Sequence, residues 1–203
     1  LRALVALRDR HPFRHRWSLP GGFVRMDESL DRAALRVMRD KAGVEGVYLE
    51  QIHTFGEPDR DPRTRVITVV YFALVPPSAL NLPSDPFASV RLAEVRVPWQ
   101  GERGGSVAVL DSEGRSLELA FDHDQILWLV VQRLRGKLDT APIGFELLPA
   151  EFTLLQLQGV HEAIRDARLD KASFRRRLLD SGHLVPTGRR ERGVGHRPAE
   201  FYQ

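Results

Sequence analysis

The sequence has no cysteine, which removes disulfides, thiolate metal ligands and a cysteine nucleophile together and fits a reducing, cytoplasmic setting. It has no long apolar run either. The longest candidate, Ile126 to Val131, falls far short of the roughly 18 residues that a membrane-crossing helix needs, so no bilayer span is expected. Internal repeats and the biased compositions of disordered or collagen-like chains are also missing. With 203 residues, 42% hydrophobic and 28% charged, the chain has the balance of a soluble globular protein of one large or two small domains. It begins at Leu1, within what reads as a strand without a start. The N-terminal part is therefore expected to be truncated, and no targeting information is read from it.

The net charge of +3 is unevenly spread. Residues 153–203 carry 10 Lys/Arg against 6 Asp/Glu, leaving 20 against 21 for residues 1–152, so the tail holds the whole surplus. From Lys171 to Arg197 the cations Lys171, Arg175, Arg176, Arg177, Arg189, Arg190, Arg192 and Arg197 face only Asp180 and Glu191. Such density points to an anionic partner, nucleic acid first. Charge taken alone is equally met by the solvated face of a stable helix.

The first part reads as strands around a helix. Leu1 to Arg8 alternates as a strand, and Asp9 to Arg16 is a polar loop whose His11 and His15 lack a third metal ligand. Trp17-Ser18-Leu19-Pro20-Gly21-Gly22 is a turn made of breakers, after which Phe23 and Val24 resume extended structure. Asp27-Glu28-Ser29 opens a helix with its carboxylates where the dipole favours them. Leu30, Ala33, Ala34, Val37, Met38 and Ala42 fall at helical spacing, and Gly43 closes it. Strands are predicted at Tyr48 to Phe55, Arg65 to Val75, Val90 to Val95 and Val107 to Asp111. Gly101 to Gly105 reads as a surface loop. A second helix runs from Asp122 to Leu138, with Asp122 and Asp124 read as caps rather than catalytic acids.

The second part has a different rhythm. Asp139-Thr140-Ala141-Pro142 breaks the chain and marks a domain junction, dividing residues 1–140 from 141–203, and Ile143 to Leu148 is expected as a short strand. Thr153 caps a helix with Leu154, Leu157, Val160 and Ile164 on one face; Asp166 to Leu169 is a turn. Asp170 then caps a second helix, with Phe174, Leu178 and Leu179 inward and Lys171, Arg175 and Arg176 outward, ended by Gly182. Leu184 to Thr187 and Ala199 to Tyr202 are strands joined by an Arg- and Gly-rich tip. Helix, turn, basic helix and basic hairpin describe a winged helix-turn-helix. In that geometry the helix from Asp170 to Ser181 enters a major groove with Lys171, Ser173 and Arg176 toward it. Arg175 and Arg177 flank it, and a wing of Arg189, Arg190, Arg192, His196 and Arg197 follows the minor groove.

The stretch from Gly21-Gly22-Phe23 to Val44 resembles the Nudix box of the Nudix hydrolase family. Gly22, Glu28, Arg36, Gly43 and Val44 stand at the matching spacings. Three metal-ligand positions of that box, which in the family are Glu and need to share one helical face to hold Mg²⁺, are here Val37, Asp40 and Lys41. One is apolar, one shortened and one reversed in charge, so hydrolysis is expected to be lost. An active hydrolase of ADP-ribose-type diphosphates, using Glu28, Asp40 and another base, is the enzyme alternative.

Nearly the whole chain resembles the Nudix-related transcriptional regulators. The segments that carry this are Thr54 to Arg63, Phe121-Asp122-His123-Asp124, Phe152-Thr153-Leu154, Leu169-Asp170-Lys171 with Phe174-Arg175-Arg176, and Arg192 to Ala199. The resemblance implies an α+β architecture: an N-terminal Nudix-like α/β/α sandwich with a mixed sheet, followed by the winged helix. It also implies a bacterial, homodimeric repressor of NAD biosynthesis or related pentose genes. Such a repressor requires no cofactor, and ADP-ribose or a similar metabolite serves as effector. An inverted-repeat operator on double-stranded DNA follows from the dimer. Effector contacts are expected from Gly21, Gly22, Glu28, Arg36 and Asp40, and from Pro58, Arg60, Arg63 and Arg65 in the charged loop, where guanidinium forks can meet phosphate oxygens. An RNA-binding or scaffold role is the third class that a basic hairpin allows.

Overall fold

A computed structural model describes residues 1–47, 49–76, 79, 80, 82, 89–99, 104–138, 144–193, 195 and 198–203. Two compact units are present, Leu1–Arg133 and Leu134–Gln203, and the division falls inside a helix.

In the first unit β1 (Arg2–Leu7), β2 (Trp17–Ser18), β5 (Val90–Arg96) and β6 (Ala108–Leu110) form a sheet in the order β2-β1-β5-β6, every neighbouring pair antiparallel. One isolated parallel bridge, Trp17 with Leu119, makes the sheet mixed. Alternation along the strands sends Val5, Ala93, Val95 and Val109 to one side, where they bury against Leu127 and Val131 of α2 (His123–Lys137). Each fully buried aliphatic chain of this kind is worth about 1.5–3 kcal/mol. A separate hairpin pairs β3 (Glu50–Phe55) with β4 (Thr68–Phe72) across the loop 56–67, with a bulge between Gln51 and His53. Helix α1 (Leu30–Ala42) starts where expected. Ser29 is its N-cap, accepting from the Arg32 N–H at 3.3 Å, and Gly43 closes it at φ 64°, a left-handed conformation suited to glycine.

The second unit holds α3 (Leu154–Arg165), α4 (Lys171–Asp180) and a small sheet in the order β7 (Phe152–Thr153), β9 (Glu200–Tyr202), β8 (Pro186–Arg190). Thr153 and Gln156 make a reciprocal capping box, and Asp170 accepts from the Ser173 N–H at 2.8 Å to cap α4. Phe152, Leu157, Phe174, Leu178 and Tyr202 form its core. Glu162 fixes the inter-helix turn, accepting from the Leu169 N–H at 2.9 Å and the Gln158 amide at 3.0 Å. Arg135, in the last turn of α2, donates to the Ile164 carbonyl at 3.1 Å and the Arg165 carbonyl at 2.5 Å, satisfying the open C-terminal end of α3.

Four expectations change. Trp17–Ser18 is a strand rather than part of a turn, since it pairs with Leu7 and Ala6. Phe23 and Val24, by contrast, join no sheet and are 76% and 48% exposed. Instead of a strand from Ile143 to Leu148, Phe145–Leu147 make one 3-10 turn after Gly144 at φ 89°, and residues 139–143 lie outside the described set. Leu179 is 43% exposed, because the inward face of α4 is already taken by Phe174 and Leu178. No described helix is long and apolar enough to cross a membrane.

Candidate functional site

The turn ahead of α1 is built round an ion pair. Arg36 grips Glu28 with two donors, Nε at 2.9 Å and Nη2 at 2.5 Å, and also donates from Nη2 to the Phe23 carbonyl at 3.0 Å. The Arg25 N–H donates to the same Glu28 carboxylate at 2.9 Å. These bonds, Arg36 first, hold the Glu28 carboxyl at a pKa of about 2. Its oxygens are thereby committed to closing the loop. Gly22 approaches α1 closely: a Cβ there would stand 3.1 Å from Val37 Cγ2, so Val37 is a packing residue. Asp40 is exposed and, among the described residues, bonded only by its neighbour Arg39, at 3.3 Å.

The charged loop of residues 56–67 forms the second group. Arg60 is a strut: its Nε and Nη2 meet both oxygens of Asp122 at 2.9 and 2.6 Å, Nη1 bonds the Thr68 hydroxyl, and the two charged side chains are 6% and 12% exposed. Its guanidinium fork is therefore filled from within the domain. Arg63 likewise grips Asp61, at 3.0 and 2.7 Å, but stays 48% exposed, and Arg65 donates to the Gly56 carbonyl. Arg63, through this bond above all, holds the Asp61 carboxyl at about 2. Pro58 is exposed.

The start of α2 ties the two groups together, a role its sequence did not suggest. Asp122 stands just ahead of the helix, its carbonyl accepting the Ile126 N–H at 3.1 Å, and its carboxylate is the partner of Arg60. His123 Nδ1 accepts the Leu19 N–H at 2.9 Å, anchoring the segment that leads from β2 into Gly21 and Gly22. Tyr71 adds a third tie, donating to Asp31 of α1 at 2.7 Å. Burial, the dominant cause, holds the His123 imidazole near pKa 4 rather than 6.5. An unfolded chain takes up that proton near pH 6.5 and the folded chain only near pH 4. The stabilisation is thus complete above pH 6.5 and is lost as pH falls toward 4, on the order of 3 kcal/mol in all. His123→Gln should flatten this part of the pH profile in urea unfolding; parallel profiles for the two proteins would exclude His123 as its source.

In the second unit Lys171, Ser173, Arg175, Arg176 and Arg177 all fall on exposed positions of α4. They are not equivalent. Ser173 is bound up in the Asp170 cap, Arg177 lies over the Phe174 ring at 5.7 Å, and Arg175 bonds the hydroxyl of Tyr202 on β9. Lys171 and Arg176 project from the helix. On the wing, Arg189 is gripped by Glu151 at 2.9 and 2.7 Å, while Arg190 and Arg192 are exposed beside a concave surface lined with Pro198 and Phe201. His196 and Arg197 lie outside the described residues.

Two family models match the chain: the NUDIX domain over residues 2–103 and the NrtR DNA-binding winged helix domain over residues 144–203. A relative from Acinetobacter baylyi, the ADPR responsive transcriptional repressor NtrR, is 34% identical over 205 residues, spanning 100% of this chain and 75% of the relative. The chain belongs to the NrtR family of Nudix-related regulators. Shewanella oneidensis NrtR has a similar solved structure, with TM-score 0.76 and 32% identity over 100% of this chain and 86% of that one. The same protein complexed with a 27mer DNA gives TM-score 0.76 and 33% identity over 98% and 84%.

A Nudix domain implies Mg²⁺, and the residues of this NrtR-family chain do not fit it. Glu28 is committed to Arg36, Val37 packs on Gly22, and Lys41 puts an ammonium where a carboxylate is needed. Among the described residues no group of three His, Asp or Glu side chains could hold a metal ion.

Proposed function

We propose that this chain is a DNA-binding transcriptional repressor, acting as a homodimer on an inverted-repeat operator and answering to ADP-ribose or a similar nucleotide-sugar metabolite. Residues 1–140 form the effector domain and residues 141–203 the DNA-binding domain; the regulated genes belong to NAD biosynthesis or a related route. The observation that carries this reading is the union, in one chain, of a diphosphate-site frame whose metal positions hold Val37 and Lys41 with a basic helix and wing. The ADPR-responsive relative and the DNA-bound NrtR structure support it.

The backbone at Gly21 and Gly22, beside the locked Glu28–Arg36 pair and Asp40, cradles the effector's diphosphate frame. Arg63 and Arg65 are the guanidiniums with reach to spare, whereas Arg60 supports the loop. Helix α4 reads a major groove through Lys171 and Arg176, and Arg190 and Arg192 lie along the adjacent minor groove with His196 and Arg197. Arg175 and Arg189 hold helix and wing in register.

Operator titrations with and without saturating ADP-ribose, NAD or an arabinose-type sugar test the whole. ADP-ribose should change DNA affinity by about 5- to 150-fold, the usual range of allosteric coupling. Identical titrations would sink the coupling. Arg192→Ala should weaken all sequences alike and lower the salt slope by about one unit, whereas Lys171→Ala or Arg176→Ala should relax one base position. A footprint without dyad symmetry excludes the dimeric operator.

Hydrolysis of ADP-ribose with Mg²⁺ or Mn²⁺ should stay far below the 1 to 10³ s⁻¹ of typical enzymes. Restoring Glu at positions 37 and 41 should improve metal binding. Turnover by the natural chain in that range would reinstate the enzyme reading.

A further inference from the structure

We propose that the tip of the β1–β2 hairpin, residues 8–16, is a second contact surface for the phosphate backbone of duplex DNA, on the effector domain and distinct from the winged helix. Arg8, Arg10, His11, Arg14, His15 and Arg16 crowd into this stretch with Asp9 as its one carboxylate. Arg10, His11, Arg14, His15 and Arg16 are exposed. Neutralisation from within is slight. Arg10 meets Asp9 at 3.9 Å with both side chains almost fully exposed, Arg16 meets Glu118 at 3.1 Å, and Arg14 has no ion pair among the described residues. So many like charges held close repel one another, and an anionic partner relieves that repulsion.

The tip is held in one shape. Phe13 and His15 stand at φ 61° and 67°, and Phe121, packed on Phe13 with ring centroids 4.8 Å apart, stands at φ 58°. These are three of the four non-glycine residues with positive φ among those described, the other being Asp166. Left-handed backbone at bulky residues costs about 1–3 kcal/mol each and persists only where its surroundings over-determine it. Here the Arg8 N–H donates to the Arg16 carbonyl at 3.0 Å, the His15 N–H to the Arg8 carbonyl at 2.9 Å, and Arg8 Nε to the Pro12 carbonyl at 3.0 Å. Arg8 and Arg16 stack over Phe121 and Phe13 at 4.7 and 5.5 Å. A solvated loop requires none of this; a preorganised array of guanidiniums does, because fixing it beforehand lowers the entropy cost of binding.

The partner's chemistry follows from what the tip offers. Arginine forks match phosphate oxygens. Single-stranded nucleic acid is bound largely by stacking its bases on open aromatic faces. Phe13 is engaged edge-on with Phe121 and lies under Arg16, so the tip addresses backbone phosphates and reads no sequence. Because the winged helix is on the same chain, contacts at the tip act at high effective concentration once DNA is engaged.

The test uses the full chain and its Arg10→Ala/Arg14→Ala variant, both side chains lying in solvent. Affinity is measured by fluorescence anisotropy across salt concentrations for a mixed-sequence 40-bp duplex, the matching single strand and ADP-ribose. The variant should lower the duplex salt slope by nearly two units. Sequence preference, ADP-ribose affinity and thermal midpoint should stay unchanged. Arg10→Lys/Arg14→Lys should keep the slope, and Arg10→Glu/Arg14→Glu should lower it further. Equal slopes for the Ala variant and the natural chain overturn the proposal. So does a fall in single-strand or ADP-ribose affinity with duplex binding intact, which would assign the tip to those ligands instead.

Discussion

Leu157→Ala is expected to unfold the C-terminal unit and abolish DNA binding while ADP-ribose binding survives. Leu157 has no exposed surface and stands at the centre of the cluster formed by Phe152, Phe174, Leu178 and Tyr202, joining α3 to both α4 and the small sheet. Truncating such a leucine costs about 2–5 kcal/mol in lost transfer energy and residual cavity. A unit of this size has about 3–10 kcal/mol to lose, so the variant sits at or past its stability limit. Leu155, two residues away on another face of the helix and 65% exposed, is the control: Leu155→Ala should shift stability by no more than about 0.5 kcal/mol. Circular dichroism melts and operator titration of both variants check this. If Leu157→Ala bound DNA as the natural chain does, the core would have been misassigned.

Local features were legible in the sequence because local chemistry decides them. The helix starts at Ser29, Thr153 and Asp170 and the stop at Gly43 follow from side-chain oxygens and a left-handed glycine acting on residues three or four positions away. The β-prone run around Thr68–Phe72 formed its strand for the same reason. What escaped was long-range. Trp17–Ser18 and Phe152–Thr153 are strands only because Ala6, Leu7, Phe201 and Tyr202 come to them, and their own residues look like turn and cap. The carboxylates of Asp122 and Asp124 look like helix caps in the sequence, and the partners that Asp122 and His123 bind, Arg60 and Leu19, stand far away in the chain. In the site, the Nudix-box spacing located Gly22, Glu28 and Arg36, but nothing in the spacing could show that Glu28 and Arg36 would bind each other. Similarly, the buried His161, stacked edge-on against Phe174, interrupts the apolar pattern that marks a core.

Removing either partner of the Arg60–Asp122 pair should cost the first unit about 3–5 kcal/mol, because the charge left behind is buried and unpaired. The pair has bidentate geometry and 6% and 12% exposure, and Thr68 meets the third guanidinium nitrogen, so a lost partner leaves a charge with little access to solvent. Arg60→Lys should recover little, since a point charge cannot meet two carboxylate oxygens and a hydroxyl together. Replacing both, as in Arg60→Met/Asp122→Leu, should restore much of the loss by exchanging desolvated charge for apolar packing. Urea unfolding of the single and double variants gives the coupling directly, and ADP-ribose titration of the same proteins separates support from contact. The stability loss should appear without ligand present. A variant Arg60→Ala that unfolds like the natural chain but binds ADP-ribose far more weakly would reverse the assignment, making Arg60 a ligand residue. With Arg60 as support, the guanidiniums left to face an effector from this loop are Arg63 and Arg65, whose bonds to Asp61 and the Gly56 carbonyl leave Arg63 half exposed and Arg65 at the surface.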